Sequence, residues 1–95
     1  MPVNFRSKLH LALLNYYFSN PSAEYYVRQL SRTLSFDATY LSRELNLLTD
    51  AGLFIYLRRG NEKYFRLNQS HPLYGEFHKI TKHLVAKKAT TRGKK

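Results

Sequence analysis

Between Tyr25 and Gly52 the chain carries two apolar-periodic segments separated by a break of three residues, Ser35-Phe36-Asp37. The first segment is short, Val27 to Leu34. The second is longer and closed by Gly52, a residue suited to the left-handed position that stops a helix. Two helices joined by so tight a turn form a helix-turn-helix unit, whose second helix can enter a DNA major groove. The rest of the chain reads as support for this stretch.

The second segment, laid on a wheel at about 100° per residue, separates into two faces. Ala38, Leu41, Leu45 and Leu48 gather on one side and are expected in the core. Thr39, Arg43, Asn46 and Asp50 gather opposite, with Tyr40 and Ser42 on the flanks. Asp37 suits the N-cap, where its carboxylate accepts from the amide of Thr39 or Tyr40. In the first segment Val27, Leu30, Ser31 and Leu34 share a face, leaving Arg28, Gln29 and Arg32 on the others.

Around this unit the pattern predicts a leader over 1–4, disordered or loosely held. A first helix then runs over about 5–18, capped by Asn4, with Phe5, Leu9, Ala12, Leu13, Tyr16 and Tyr17 as its stripe. Asn20-Pro21 ends it, because proline pushes the preceding residue out of helical geometry. Tyr25-Tyr26 suits a short extended bridge. Beyond Gly52, residues 53–58 and 63–67 suit two strands of a β-hairpin whose tip is 58–63. A last helix follows, with Pro72 in its first turn and Leu73, Phe77, Ile80 and Leu84 as its stripe. From Ala86 the composition predicts a flexible basic tail. The expected fold is mainly α with a small β-hairpin, a winged helix-turn-helix occupying 5–85 in the order α-α-α-β-β-α, with the tail at 86–95.

Sixteen Lys and Arg against six Asp and Glu give a net charge of +10. Five of those bases lie in the last nine residues, but eleven against six still leaves the folded part basic. Such an imbalance points to a polyanionic partner, nucleic acid before acidic membrane. The absence of cysteine excludes disulfides, thiolate metal sites and thiol redox chemistry. No apolar run approaches the roughly 20 residues of a membrane helix, and the chain reads as soluble and cytoplasmic, associated with the nucleoid.

The runs Asn20-Pro21, Tyr25-Tyr26-Val27-Arg28-Gln29-Leu30, Leu41-Ser42-Arg43-Glu44-Leu45 and Ala51-Gly52-Leu53 resemble prokaryotic winged-helix transcriptional regulators of the broad ArsR-like group. So do residues 60–68 and His71-Pro72-Leu73-Tyr74. The resemblance covers about Leu9 to Leu84 and implies a winged domain that binds DNA, with repression the commoner mode. Two residues depart from it. Ser31 stands where alanine is common, so its hydroxyl is expected to bond back to a helical carbonyl. Ser35 stands where glycine is common; at positive φ it costs roughly 1 kcal/mol relative to glycine.

The expected DNA-binding residues follow from their chemistry. Arg43 can donate bidentately to guanine and Asn46 can read adenine. Thr39, Tyr40 and Ser42 can touch phosphates or a thymine methyl. Arg58, Arg59 and Lys63 at the hairpin tip suit backbone or minor-groove contacts, and Arg28 and Arg32 suit phosphates. Asp50 is expected to stay outside the groove. The partner is double-stranded DNA. A homodimer is expected through the first and fourth helices, on the strength of Leu11, Tyr17, Phe18, Tyr74 and Phe77. It would set two recognition helices about 10 base pairs apart. His71, Glu76, His78 and His83 are close in sequence, but His78 and His83 lie about 140° apart on a helix and cannot share an ion within one chain. No metal, cofactor or catalytic constellation is expected. The alternative reading is a winged-helix protein-interaction or RNA-binding module within a larger assembly.

Overall fold

The computed structural model describes the backbone of residues 3–93 and the side chains of residues 3–86. Along it run α1 (Lys8–Phe18), β1 (Tyr25–Tyr26), α2 (Val27–Leu34), α3 (Ala38–Asp50), β2 (Phe54–Arg59), β3 (Glu62–Leu67) and α4 (Tyr74–Gly93). The described residues thus form four helices and a small antiparallel sheet of order β1-β3-β2.

The helix ends show why the elements begin and stop where they do. Ser7, rather than Asn4, caps α1: its side chain accepts from the His10 amide, and the helix begins at Lys8 instead of Phe5. Asn4 instead folds the approach, its side chain accepting from the Arg6 amide and its carbonyl from the Ser7 amide. The expected loose leader is therefore anchored at residues 3 and 4, with Val3 buried in the core; Met1 and Pro2 lie outside the described residues. Tyr26 opens α2, and the Gln29 side chain reaches back to accept from the Tyr26 amide at 2.9 Å. Asp37 caps α3 by accepting from the Tyr40 amide, as its position predicts.

Gly52, at φ +87°, stops α3. The Leu53 amide bonds the Leu48 carbonyl and the Gly52 amide bonds the Thr49 carbonyl. That is the paired closure of a Schellman motif, sealed by the buried Leu48 and Leu53.

The α2–α3 turn corrects one expectation and bears out another. Ser35 is left-handed, at φ 63° and ψ 42°. Ser31 does not bond back along its own helix; its hydroxyl donates forward to the Phe36 carbonyl at 2.7 Å. An interior serine of α2 therefore fastens the turn.

Leu41, Leu45 and Leu48 are buried as the wheel requires, while Ala38 is only half-buried. They join Leu9, Leu13, Leu14 and Tyr17 of α1, Leu30 of α2, the sheet's Phe54, Phe65 and Leu67, and Phe77 of α4. Tyr17 is buried completely, and its hydroxyl donates to the Phe65 carbonyl at 2.7 Å, tying α1 to the central strand. Burial removes that hydroxyl from water and pushes its pKa far up.

Each hairpin strand runs one residue closer to the tip than expected. Arg59 pairs with Glu62 across a loop of only Gly60 and Asn61, with Gly60 at φ 60°. Positive φ at the first loop position suits a tight hairpin turn and favours glycine there.

Pro72 precedes α4 rather than sitting in its first turn. The helix also extends to Gly93, so the backbone of 86–93 is helical where a flexible tail is expected. Residues 94 and 95 lie outside the described residues. The aromatic residues that suggest a dimer surface mostly serve the interior. Tyr17, Phe18 and Phe77 are buried, and the Tyr74 ring packs edge-on to Phe18 at 5.5 Å. Of the expected stripe only Phe77 is buried: Leu73, just before α4, and Ile80 are 41% and 36% exposed, and Leu84 is half-buried.

Candidate functional site

Alternation along β2 and β3 decides which way each tip residue faces. Residues directly opposite in an antiparallel pair share a face of the sheet, and the face reverses with every residue. Arg58 opposes Lys63 and Tyr56 opposes Phe65, whereas Arg59 opposes Glu62. Phe65 is buried, so Arg58 and Lys63 lie on the core-side face together with it. Arg59 and Glu62 lie on the other face.

The expected binding residues therefore divide into two groups. In the first, Lys63 reaches α3: its Nζ donates to Asn46 Oδ1 at 3.1 Å. The same ammonium lies over the Tyr56 ring, 4.2 Å from its centroid, and 5.3 Å from that of Phe65. Thr39, Ser42, Arg43 and Asn46 line one open concavity of about 660 Å³ along α3, with Val27, Ala38, Leu47 and Asp50. Arg43 is 64% exposed, its guanidinium 5.4 Å from the Tyr40 ring centroid. Tyr40 is itself exposed and edge-on to Phe36.

In the second group the cations are already engaged by carboxylates. Arg59 Nη2 lies 2.6 Å from Glu24 Oε1, and Arg28 pairs with Glu62. Both guanidinium groups also lie near tyrosine rings, Arg59 by Tyr64 and Arg28 by Tyr26. These pairs tie β2 to the segment before β1 and α2 to the hairpin tip. They occupy Arg28 and Arg59 with internal partners, which sequence spacing does not reveal because the partners lie 34 and 35 positions away. Arg32 and Arg58 are exposed and make no ion pair among the described residues.

Beneath α3 lies a contact absent from the sequence reading. His10 of α1 is buried, and its Nε2 lies 2.8 Å from Glu44 Oε1. The Asn4 amide donates to His10 Nδ1 at 3.0 Å. Because Nδ1 must accept, the ring proton sits on Nε2 and is donated to Glu44. The same carboxylate has its other oxygen 3.7 Å from Arg43 Nε. A line of contacts thus runs from the anchored Asn4 through α1 to the exposed face of α3.

Leu47 is the other residue missed, 56% exposed beside Asn46 in the concavity. Its signal was available, since an apolar side chain four positions after Arg43 sits on the polar stripe. Asp50, expected apart, lines the same concavity. Among the described residues no group of three His, Cys, Asp or Glu side chains gathers as metal ligands. His71 accepts from the Leu73 amide, and His78 stacks on Phe18 at 4.5 Å. No helix among the described residues is long and apolar enough to cross a membrane. No family model matches the chain, and no curated protein matches it.

Proposed function

We propose that this chain is a winged helix-turn-helix protein that binds double-stranded DNA sequence-specifically and regulates transcription, with α3 in the major groove. The observation that carries the reading is the Lys63–Asn46 contact, which sets the core-side face of the hairpin tip beside the polar face of α3. Arg43, Asn46, Thr39 and Ser42 would face base edges and nearby phosphates, while Arg58 would follow the backbone. Arg32, on the last turn of α2, suits a phosphate. Arg28 and Arg59 take a lesser part, because each must first leave a carboxylate. The net charge of +10 supplies the sequence-independent attraction.

The reading includes a cytoplasmic, nucleoid-associated homodimer acting as a repressor. With Tyr17, Phe18 and Phe77 interior, support for the dimer rests on two exposed apolar residues, Leu73 just before α4 and Ile80 within it. The exposed Leu47 and Tyr40 favour a second reading, in which α3 docks on a partner protein. Duplex binding measured against salt separates the two. The DNA reading expects log affinity to fall with log salt by about 0.9 per phosphate neutralised. It also expects Arg43→Ala to cost about 1–3 kcal/mol on the selected sequence and little on random duplex. Salt-insensitive binding, or affinity unchanged by Arg43→Ala, would overturn it.

A further inference from the structure

Lys63 does more than add charge beside α3, because its bond fixes which end of the Asn46 amide faces outward. The ammonium is a donor with no acceptor capacity, so it accepts only the Oδ1 end of the amide. Turning the amide over would set two donors against each other. The ammonium is held in place by the Tyr56 ring at 4.2 Å and the Phe65 ring at 5.3 Å. Those two rings oppose one another across β2 and β3, and Phe65 is buried. Asn46 itself is exposed, so Nδ2 meets a ligand freely while Oδ1 keeps only the lone pair that the ammonium leaves it.

An asparagine that reads adenine needs both ends of its amide, Oδ1 accepting from N6 and Nδ2 donating to N7. With Oδ1 bound to a cation, the side chain presents a donor beside a positive charge. That combination suits an edge made only of acceptors. Guanine offers such an edge in N7 and O6, whereas adenine turns its N6 donor hydrogens toward the ammonium, where they must share Oδ1 with it through the one remaining lone pair. On the proposed DNA-binding reading, we infer that Lys63 is a positioning residue that makes Asn46 select guanine over adenine. The simple expectation that Asn46 reads adenine is thereby reversed.

The test is selection of bound sequences from a random duplex pool using the full chain, Asn46→Ala, Lys63→Met and Lys63→Gln. Methionine keeps the apolar stem against the rings without the charge. Glutamine can donate or accept, so it leaves the Asn46 amide free to turn. Circular dichroism and thermal melting verify that each variant is folded. The position at which Asn46→Ala loses its preference is the one Asn46 reads. The unaltered chain is expected to select guanine there by about tenfold over adenine, and both Lys63 variants to relax or reverse that choice. A merely structural or phosphate-binding Lys63 would lower affinity and leave the chosen base unchanged, which would overturn the inference alone. Adenine selected by the unaltered chain, or no position lost in Asn46→Ala, would also overturn it. If the unaltered chain enriches no motif, the DNA reading fails and the inference with it.

Discussion

The hydroxyl of Ser31 spans five positions to the carbonyl of Phe36, passing over the left-handed Ser35. The two serines act in opposite directions on the same turn. Ser31 satisfies a partly buried carbonyl, while Ser35 holds a backbone conformation that a side chain disfavours. Ser31→Ala is expected to destabilise the domain by about 1–2 kcal/mol, and Ser35→Gly to stabilise it by about 1 kcal/mol. Thermal melting should show shifts of about 4–8 °C per kcal/mol, in opposite directions.

His10 and Glu44 place a polar link between α1 and α3 within a largely apolar setting. Removing one partner leaves the other with an unmet group, so His10→Phe and Glu44→Ala are each expected to cost about 2 kcal/mol. The double variant should cost less than the sum, and a double-mutant cycle in denaturant measures the difference. Nitrogen chemical shifts of the His10 ring at neutral pH should report the tautomer protonated at Nε2.

Tyr17 makes stability sensitive to alkali. Burial raises its folded-state pKa well above the ordinary tyrosine value of about 10 that applies when the chain unfolds. The neutral form is therefore favoured in the folded state. Its contribution is fully present below about pH 10 and is lost as pH rises beyond that value. Absorbance of tyrosinate at high pH should show one ring that ionises only as the chain unfolds. Tyr17→Phe should lower stability near neutrality by about 1–2 kcal/mol through the lost bond to Phe65. It should also flatten the alkaline decline.

The carboxylates of Glu24 and Glu62 restrain cations that would otherwise face a polyanion. Both pairs are substantially solvent-exposed, so each contributes less than about 1 kcal/mol to folding after solvent screening. Glu24→Gln and Glu62→Gln should leave the melting temperature nearly unchanged. Under the DNA-binding reading the double variant should bind random duplex about two- to tenfold more tightly at low salt, with a steeper salt dependence. Equal affinity would show that Arg28 and Arg59 lie away from the bound duplex.

What the sequence by itself determined is the set of local choices. Leucine spacing marked the buried side of α3, Asp37 and Gly52 marked its two ends, and the glycine at the hairpin tip marked a reversal. These are legible because each depends on neighbours within about one turn or one hairpin. Tertiary structure decided what the polar side chains do. Arg59 and Lys63 look alike in sequence, yet strand alternation sends one toward Glu24 and the other toward Asn46. Likewise, Ser7 rather than Asn4 caps α1: the Asn4 side chain accepts from the Arg6 amide, and its own amide donates to the His10 ring that Glu44 of α3 holds from the other side. Apolar residues need only reach a common core, so periodicity suffices for them. A charged or hydrogen-bonding group needs one particular partner at about 3 Å, and distant chain segments supply that partner only after the core has packed.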